Sequence, residues 1–355
     1  MPAYKDEKTG TWYCSFRYLD HTGVRRQKMK RGFKLKKDAL NFETDFLANM
    51  QGSPDVSFGQ LYLDYIDDCS HRLRETTVAN KKTLIETKIL PFFKVIPINK
   101  IDARSVRMWQ NWLLKLKTKQ GNPLSQTYIK TINNQLSAIF NYAVKFYELK
   151  SNPLHKTGSI GKKHADEMHF WTLSEFDKAM SYFNADDPHD YLFLTMYNLL
   201  FHSGLRQGEL LAITLNDFDF DEKIVNINKS YARINKKDII SDPKTPKSRR
   251  TIYLPDFIFD MLNEYVGMLV GYHPNQRLFQ VHKSSMSKRL DTASRNTKTQ
   301  RIRVHDLRHS HASFLIELGC SALLVQERLG TKILKQHCRL TRIYILTSKR
   351  MLLAK

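Results

Sequence analysis

Ser203-Gly204-Leu205-Arg206-Gln207-Gly208-Glu209-Leu210 is answered about a hundred residues later by Val304-His305-Asp306-Leu307-Arg308-His309-Ser310-His311. The first stretch puts an arginine just after a glycine, at the end of an apolar segment and ahead of a short helix. The second is a His-x-x-Arg, and on a helix those two side chains share one face. Two arginines and a histidine suit a site that holds a phosphodiester while its charge rises. A guanidinium offers a planar fork of donors that matches two phosphate oxygens and keeps its charge. An imidazole moves protons near neutral pH. A plain ion pair between Arg206 and Glu209 is the other reading of the first arginine.

The composition agrees with such a site. The chain has 355 residues, enough for two or three domains with their own cores. Lysine and arginine number 57 against 35 acidic residues, a formal charge of +22, which predicts a polyanionic partner. A membrane surface is the rival. No run approaches the roughly 18 apolar residues of a spanning helix, and Met1-Pro2-Ala3-Tyr4-Lys5-Asp6 is unlike a signal peptide. Nucleic acid is therefore the expected partner. Cys14, Cys69, Cys320 and Cys338 have neither zinc nor disulfide spacing and read as free thiols of a reducing cytosol. His305, His309 and His311 lack a cysteine or carboxylate at ligand spacing, so no metal is expected.

Working outward, the pattern predicts a mainly helical α+β chain in three parts. Residues 1–50 read as a small β-sheet domain with a helix. Trp12 to Tyr18 alternates as a strand, Asp20-His21-Thr22-Gly23 turns, Val24 to Lys30 forms a second strand, and Lys36 to Met50 is helical. Arg25, Arg26, Lys28, Lys30 and Arg31 crowd the second strand with no acid among them. With Arg17 they are candidate DNA contacts, either on phosphates or on bases from a sheet laid in a groove. A solvated face is the alternative. Gln51 to Asp55 reads as a linker. Residues 56–155 then read as a four-helix module. Phe58, Leu61, Tyr62, Tyr65 and Ile66 share one face; Val106, Trp109, Trp112 and Leu113 share another; Ile129 to Ala143 carries the longest stripe. Lysines scattered over this module suit a backbone grip without sequence reading. A mixed α/β domain occupies residues 168–355. An apolar helix runs from Tyr191 to His202, and strands are expected at Glu222–Ile227, Ile239–Lys244 and Arg250–Leu254. Lys244 sits at a basic, turn-rich tip, Asp242-Pro243-Lys244-Thr245-Pro246-Lys247-Ser248-Arg249-Arg250. Such a tip can carry an ammonium over bound DNA, or simply be solvated.

Together these pieces resemble the tyrosine recombinases, in particular the integrases of phages and of conjugative transposons of Gram-positive bacteria. The resemblance rests on the two opening stretches, on Pro243-Lys244-Thr245 with Ser248-Arg249-Arg250-Thr251-Ile252, and on Val325-Gln326-Glu327-Arg328-Leu329-Gly330. It covers residues 1–330. It implies site-specific DNA recombination through a 3′-phosphotyrosine link, with double-stranded attachment sites as substrate and neither metal nor cofactor. Arg206 and Arg308 would clamp the scissile phosphate, Lys244 would protonate the leaving 5′ oxygen, and His305 would assist proton transfer. The first 50 residues would be an arm-type DNA-binding domain and residues 56–155 a core-binding domain. A homotetramer on DNA, accessory DNA-bending or excision proteins, and a cytoplasmic location in a bacterium or a phage-infected cell follow from the same resemblance.

The resemblance breaks after Gly330. The family's second histidine falls on Thr331 and its nucleophile on Thr341, with Tyr344 three residues late. Two explanations stay open. In one, the tail is genuine and Tyr344 is the nucleophile. In the other, one base has been lost. If Thr331 to Cys338 is encoded ACA AAG ATA TTA AAA CAA CAT TG, restoring a C in front gives His-Lys-Asp-Ile-Lys-Thr-Thr-Leu, the missing motif. Permitted codons for Leu340 and Thr341 then read TAC across their boundary. The product would be a frameshifted integrase that binds DNA without cleaving it.

Overall fold

The computed structural model describes residues 3–7, 9–19, 25–50, 54–162, 169–234, 236–243 and 248–330. It is mainly helical, with small sheets, and divides into two compact units, Met1–Asp166 and Glu167–Lys355.

The first unit opens with an antiparallel sheet, β1 (Ala3–Lys5), β2 (Trp12–Leu19) and β3 (Arg25–Phe33), followed by α1 (Lys36–Met50). Period-2 alternation on β2 buries Cys14 and Phe16 beneath Ala39, Phe42 and Phe46 of α1. β3 runs three residues past the expected end at Lys30. A register shift between Trp12 and Cys14 carries the pairing on to Phe33, opposite Trp12. β1 was not expected, being too short to show a period. Six helices follow: α2 (Phe58–Arg72), α3 (Glu75–Lys88), α4 (Leu90–Phe93), α5 (Ala103–Lys115), α6 (Gln126–Phe146) and α7 (Leu154–Thr157). Ser57, Asp102 and Ser125 cap α2, α5 and α6 through their side chains. The 3.6-residue stripes turn inward, so Phe58, Phe93, Trp109 and Phe140 are fully buried in one core. Lys81 is not a free surface cation, since its ammonium donates to Tyr65 Oη and Gln135 Oε1.

The second unit begins with α8 (Leu173–Met180), α9 (Pro188–Ser203) and α10 (Gln207–Leu210). A three-stranded sheet in the order β4-β5-β8 comprises β4 (Phe218–Asp219), β5 (Ile224–Ile227) and β8 (Arg250–Tyr253). A separate hairpin pairs β6 (Ser230–Ile234) with β7 (Lys237–Ser241). The strand expected at Ile239–Lys244 is thus shifted to Lys237–Ser241, and β6 is a strand that was not among those expected. Its alternation is polar, and what holds it is long-range: Arg277 stacks over Tyr231 at 4.2 Å and pairs with Asp238 at 3.1 Å. Helices α11 (Asp256–Gly267), α12 (Lys283–Asn296), α13 (Leu307–Glu317) and α14 (Ala322–Leu329) complete the described part. The central α9 is buried on most sides, with Phe176 stacked on Phe201 at 4.1 Å. Among the described residues, no helix is long and apolar enough to cross a membrane.

Candidate active site

Arg206 owes its position to a helix end. Gly204 closes α9 in the left-handed conformation, φ 66°, and its N–H returns to Leu200 O. The chain turns at once, and Arg206 takes the extended N-cap position of α10. It therefore lies between two helices rather than on one. Its Nη1 donates to Glu209 Oε1 at 2.6 Å and its backbone N–H to Glu209 Oε2 at 3.0 Å. The ion pair with Glu209 is real. Yet the Arg206 side chain remains 35% exposed, so the pair orients the guanidinium without enclosing it.

Arg308 comes to the same place from the first turn of α13. It is buried, and it donates Nη1 to Gly204 O at 2.6 Å and Nη2 to Leu329 O. Burial, together with Arg206 and Arg250, pushes its pKa down to about 9, which still leaves it charged at neutral pH. His305 is not on the α-helix as expected. It sits in a 3-10 turn, Val304–Asp306, that leads into α13. Arg303 holds that turn with three bonds to the Asp306 carboxylate, from its backbone N–H at 2.8 Å and from Nε and Nη2 at 2.9 and 2.8 Å. Burial first, then the charge of Arg308, lowers the His305 pKa below its ordinary value, and Arg206 acts in the same direction. The imidazole is thus neutral at pH 7 and can accept a proton. The structure brings Arg206, His305 and Arg308 into one electrostatic neighbourhood.

Arg250, at the start of β8, has no role that the sequence assigns. Its side chain is 6% exposed, and Nε, Nη1 and Nη2 all have acceptors. Nε donates to Arg328 O at 2.9 Å, Nη1 to Ser248 O at 3.0 Å, and Nη2 to Glu209 Oε2 at 2.9 Å. Glu209 is nearly fully buried, which alone would raise its pKa. Arg250 and Arg206 outweigh that, so its carboxyl is held below the ordinary value and stays ionised. The available signal was an arginine at an inward-facing strand position. A second buried group is His311, which accepts from Arg328 Nε at 3.2 Å and stays neutral through burial and the charge of Arg328.

Lys244 and Tyr344 lie outside the described residues. The six candidate DNA contacts of the sheet do not form one surface. Arg26, Lys28 and Lys30 pair with Tyr18, Phe16 and Cys14 and so point to the α1 side. There, Lys30 lies 4.4 Å over the Phe42 ring and Lys28 5.7 Å over Phe46. Arg17 and Arg25 take the opposite, open face, as does Arg31, 5.3 Å over Tyr13 and 3.8 Å from Asp6.

Comparison with known proteins agrees with this geometry. Residues 2–50 match an arm DNA-binding domain, residues 57–114 a phage integrase N-terminal SAM-like domain, and residues 170–348 the phage integrase family. The ICEBs1 integrase of Bacillus subtilis is 27% identical over 313 residues, 83% of this chain and 82% of that one. The integrase of Staphylococcus phage L54a is 25% identical over 289 residues, 72% and 79% of the two chains. Among solved structures, the Tn1549 transposon integrase in complex with a circular intermediate DNA superposes with a TM-score of 0.66 at 18% identity, over 80% of this chain and 94% of that chain. A lambda integrase dimer bound to a core site gives 0.60 at 15% identity, over 95% and 93%. The phage integrase match runs over Arg206, Arg250, His305 and Arg308 and takes in just over half of the 355 residues, so the chain belongs to that family.

Proposed function

We propose that this protein is a site-specific recombinase that integrates and excises a mobile element by exchanging DNA strands through a 3′-phosphotyrosine intermediate. The observation that carries the reading is the convergence of Arg206 with His305 and Arg308 from two segments about a hundred residues apart, two charged guanidiniums beside a neutral imidazole. The guanidiniums bind the non-bridging oxygens of the scissile phosphate, most strongly in the pentacoordinate transition state, when charge on those oxygens is greatest. The tyrosine oxygen forms the new P–O bond, and its proton passes to His305. The 5′ oxygen leaves with a proton from Lys244. Phosphodiester energy is kept in the new link, so the reverse attack by a 5′ hydroxyl rejoins DNA. Double-stranded attachment sites are the partner, held by residues 1–50 at distal arm sites and by residues 56–155 at the core. A tetramer on DNA, with accessory DNA-bending proteins, completes the assembly. Relatives solved on circular-intermediate DNA, and a lambda integrase tetramer on a Holliday junction, support both the substrate and the oligomer.

Two assignments of the nucleophile divide this reading. With a genuine tail it is Tyr344, and the family match running to residue 348 favours that. The recovery of His-Lys-Asp-Ile-Lys-Thr-Thr-Leu by a single base favours a frameshifted chain that binds its sites but does not cleave. A nicked suicide substrate carrying the attachment site decides between them. Covalent capture by the unmodified chain, abolished by Tyr344→Phe, establishes the first. Capture only after one base is restored before codon 331 establishes the second. No capture by either form overturns the recombinase reading.

A further inference from the structure

We propose that Arg250 is a positioning residue that neutralises Glu209 and so keeps the charge of Arg206 available to the bound phosphate. This rests on the reading of Arg206 and Arg308 as a phosphate clamp. The two guanidiniums take different oxygens of Glu209: Oε1 takes Arg206 Nη1 at 2.6 Å, and Oε2 takes Arg250 Nη2 at 2.9 Å beside the Arg206 backbone N–H at 3.0 Å. One buried carboxylate therefore serves two cations. It orients Arg206 through one oxygen while Arg250 balances its charge through the other. Without Arg250, the only cation left in contact with the Glu209 carboxylate among the described residues is Arg206, and a buried anion with a single cationic partner pulls hard on it. Arg206 would then be neutralised by its own orienting group. The remaining bonds of Arg250, to Arg328 O and Ser248 O, fix its guanidinium so that the partition of Glu209 is geometric. The net charge around the phosphate falls by one when Arg250 is removed, although the Arg250 side chain is itself buried.

The test uses the full chain and inorganic phosphate, read on the imidazole resonance of His305, so that neither DNA cleavage nor the nucleophile enters. Wild type should show a saturable phosphate shift. Arg250→Gln should weaken it by about tenfold, as expected from one unit of charge across a partly screened site. Glu209→Gln added to Arg250→Gln should restore affinity to within about threefold, because the carboxylate that cancels Arg206 is gone. Arg250→Lys, which keeps the charge but not the fork, should stay within about threefold of wild type. A merely structural clip predicts the opposite: the double variant no better than Arg250→Gln, and Arg250→Lys as weak. That result, or an Arg250→Gln that binds phosphate like wild type, overturns the proposal. If Arg250→Gln fails to fold, the lysine and double variants decide by the same criteria. Arg206→Ala separates the layers. If it leaves the phosphate shift intact, the clamp reading itself falls. If it removes the shift while Arg250→Gln does not, only the role of Arg250 falls.

Discussion

Arg308 reaches across 104 positions of sequence to the carbonyl of Gly204, Nη1 to O, at 2.6 Å. The bond joins the start of α13 to the turn that presents Arg206, so the two guanidiniums are held by one piece of backbone. That turn requires glycine. A Cβ on Gly204 would sit at φ +66° and 2.5 Å from both His311 Cδ2 and Leu329 Cδ2. Gly204→Ala should therefore cost about 1–2 kcal/mol for the left-handed backbone and about 1–3 kcal/mol more for overpacking. Urea unfolding checks it, and a loss under about 1 kcal/mol would mean the turn relaxes freely.

Arg308→Ala should separate binding from chemistry. In whichever form captures a suicide substrate, unmodified or with its frame restored, the capture rate should fall by about 10²–10³ or more, the scale for losing one transition-state donor. Affinity for the intact site should change little, since many phosphate contacts share it. Gel shifts beside single-turnover capture make the comparison. Loss of most DNA affinity would place Arg308 outside the clamp.

Acid should destabilise the second unit before it affects the carboxylates. Burial and Arg328 push His202 down to about 4, and His311 and His305 are also lowered, burial being the main cause in each. The unfolded chain takes up these protons near pH 6.5 while the folded one resists, so stability is flat above that and falls as pH drops toward 4. His202 alone should account for about 1–2 kcal/mol by pH 5, allowing for partial exposure. A urea midpoint unchanged between pH 7 and pH 5 would contradict the neutral burial of these rings.

The split sheet gives a sharper version of the arm-domain assignment. Arg17→Ala removes a cation from the open face and should weaken arm-duplex binding more than Lys30→Ala, whose ammonium rests over Phe42. For each cation that is taken off a phosphate, the salt dependence of binding should also fall by about one. Equal effects of the two, or equal effects on arm and core duplexes, would count against this face as the DNA-binding surface.

What could be read in advance follows from range. The apolar faces of α2, α5 and α6 are local, each set by side chains three or four residues apart. The pairing of Arg206 with a histidine and arginine a hundred positions away was legible only because residue types with one chemistry recur in order. The buried contacts of Arg250 and His311 were not, because burial is a property of the packed unit. The hairpin β6–β7 was missed for the same reason: Arg277, 46 residues from Tyr231, supplies what its polar alternation lacks. Which side of the sheet Lys28 and Lys30 face depends on their pairing with β2, and cation density along one strand says nothing of that.

The end of α14 has a consequence for the fate of the gene product. Arg250 and Arg308 find acceptors in the carbonyls of Arg328 and Leu329, the last residues before Gly330. A reading-frame change at codon 331 leaves both acceptors in place. The ribosome has by then delivered every partner these two buried arginines use in the described fold, so on the proposed reading such a product would keep its phosphate-binding arginines without its attacking group. Expressed beside an intact integrase of the same specificity, it would occupy attachment sites and hold the element where it is, a dominant brake on transposition.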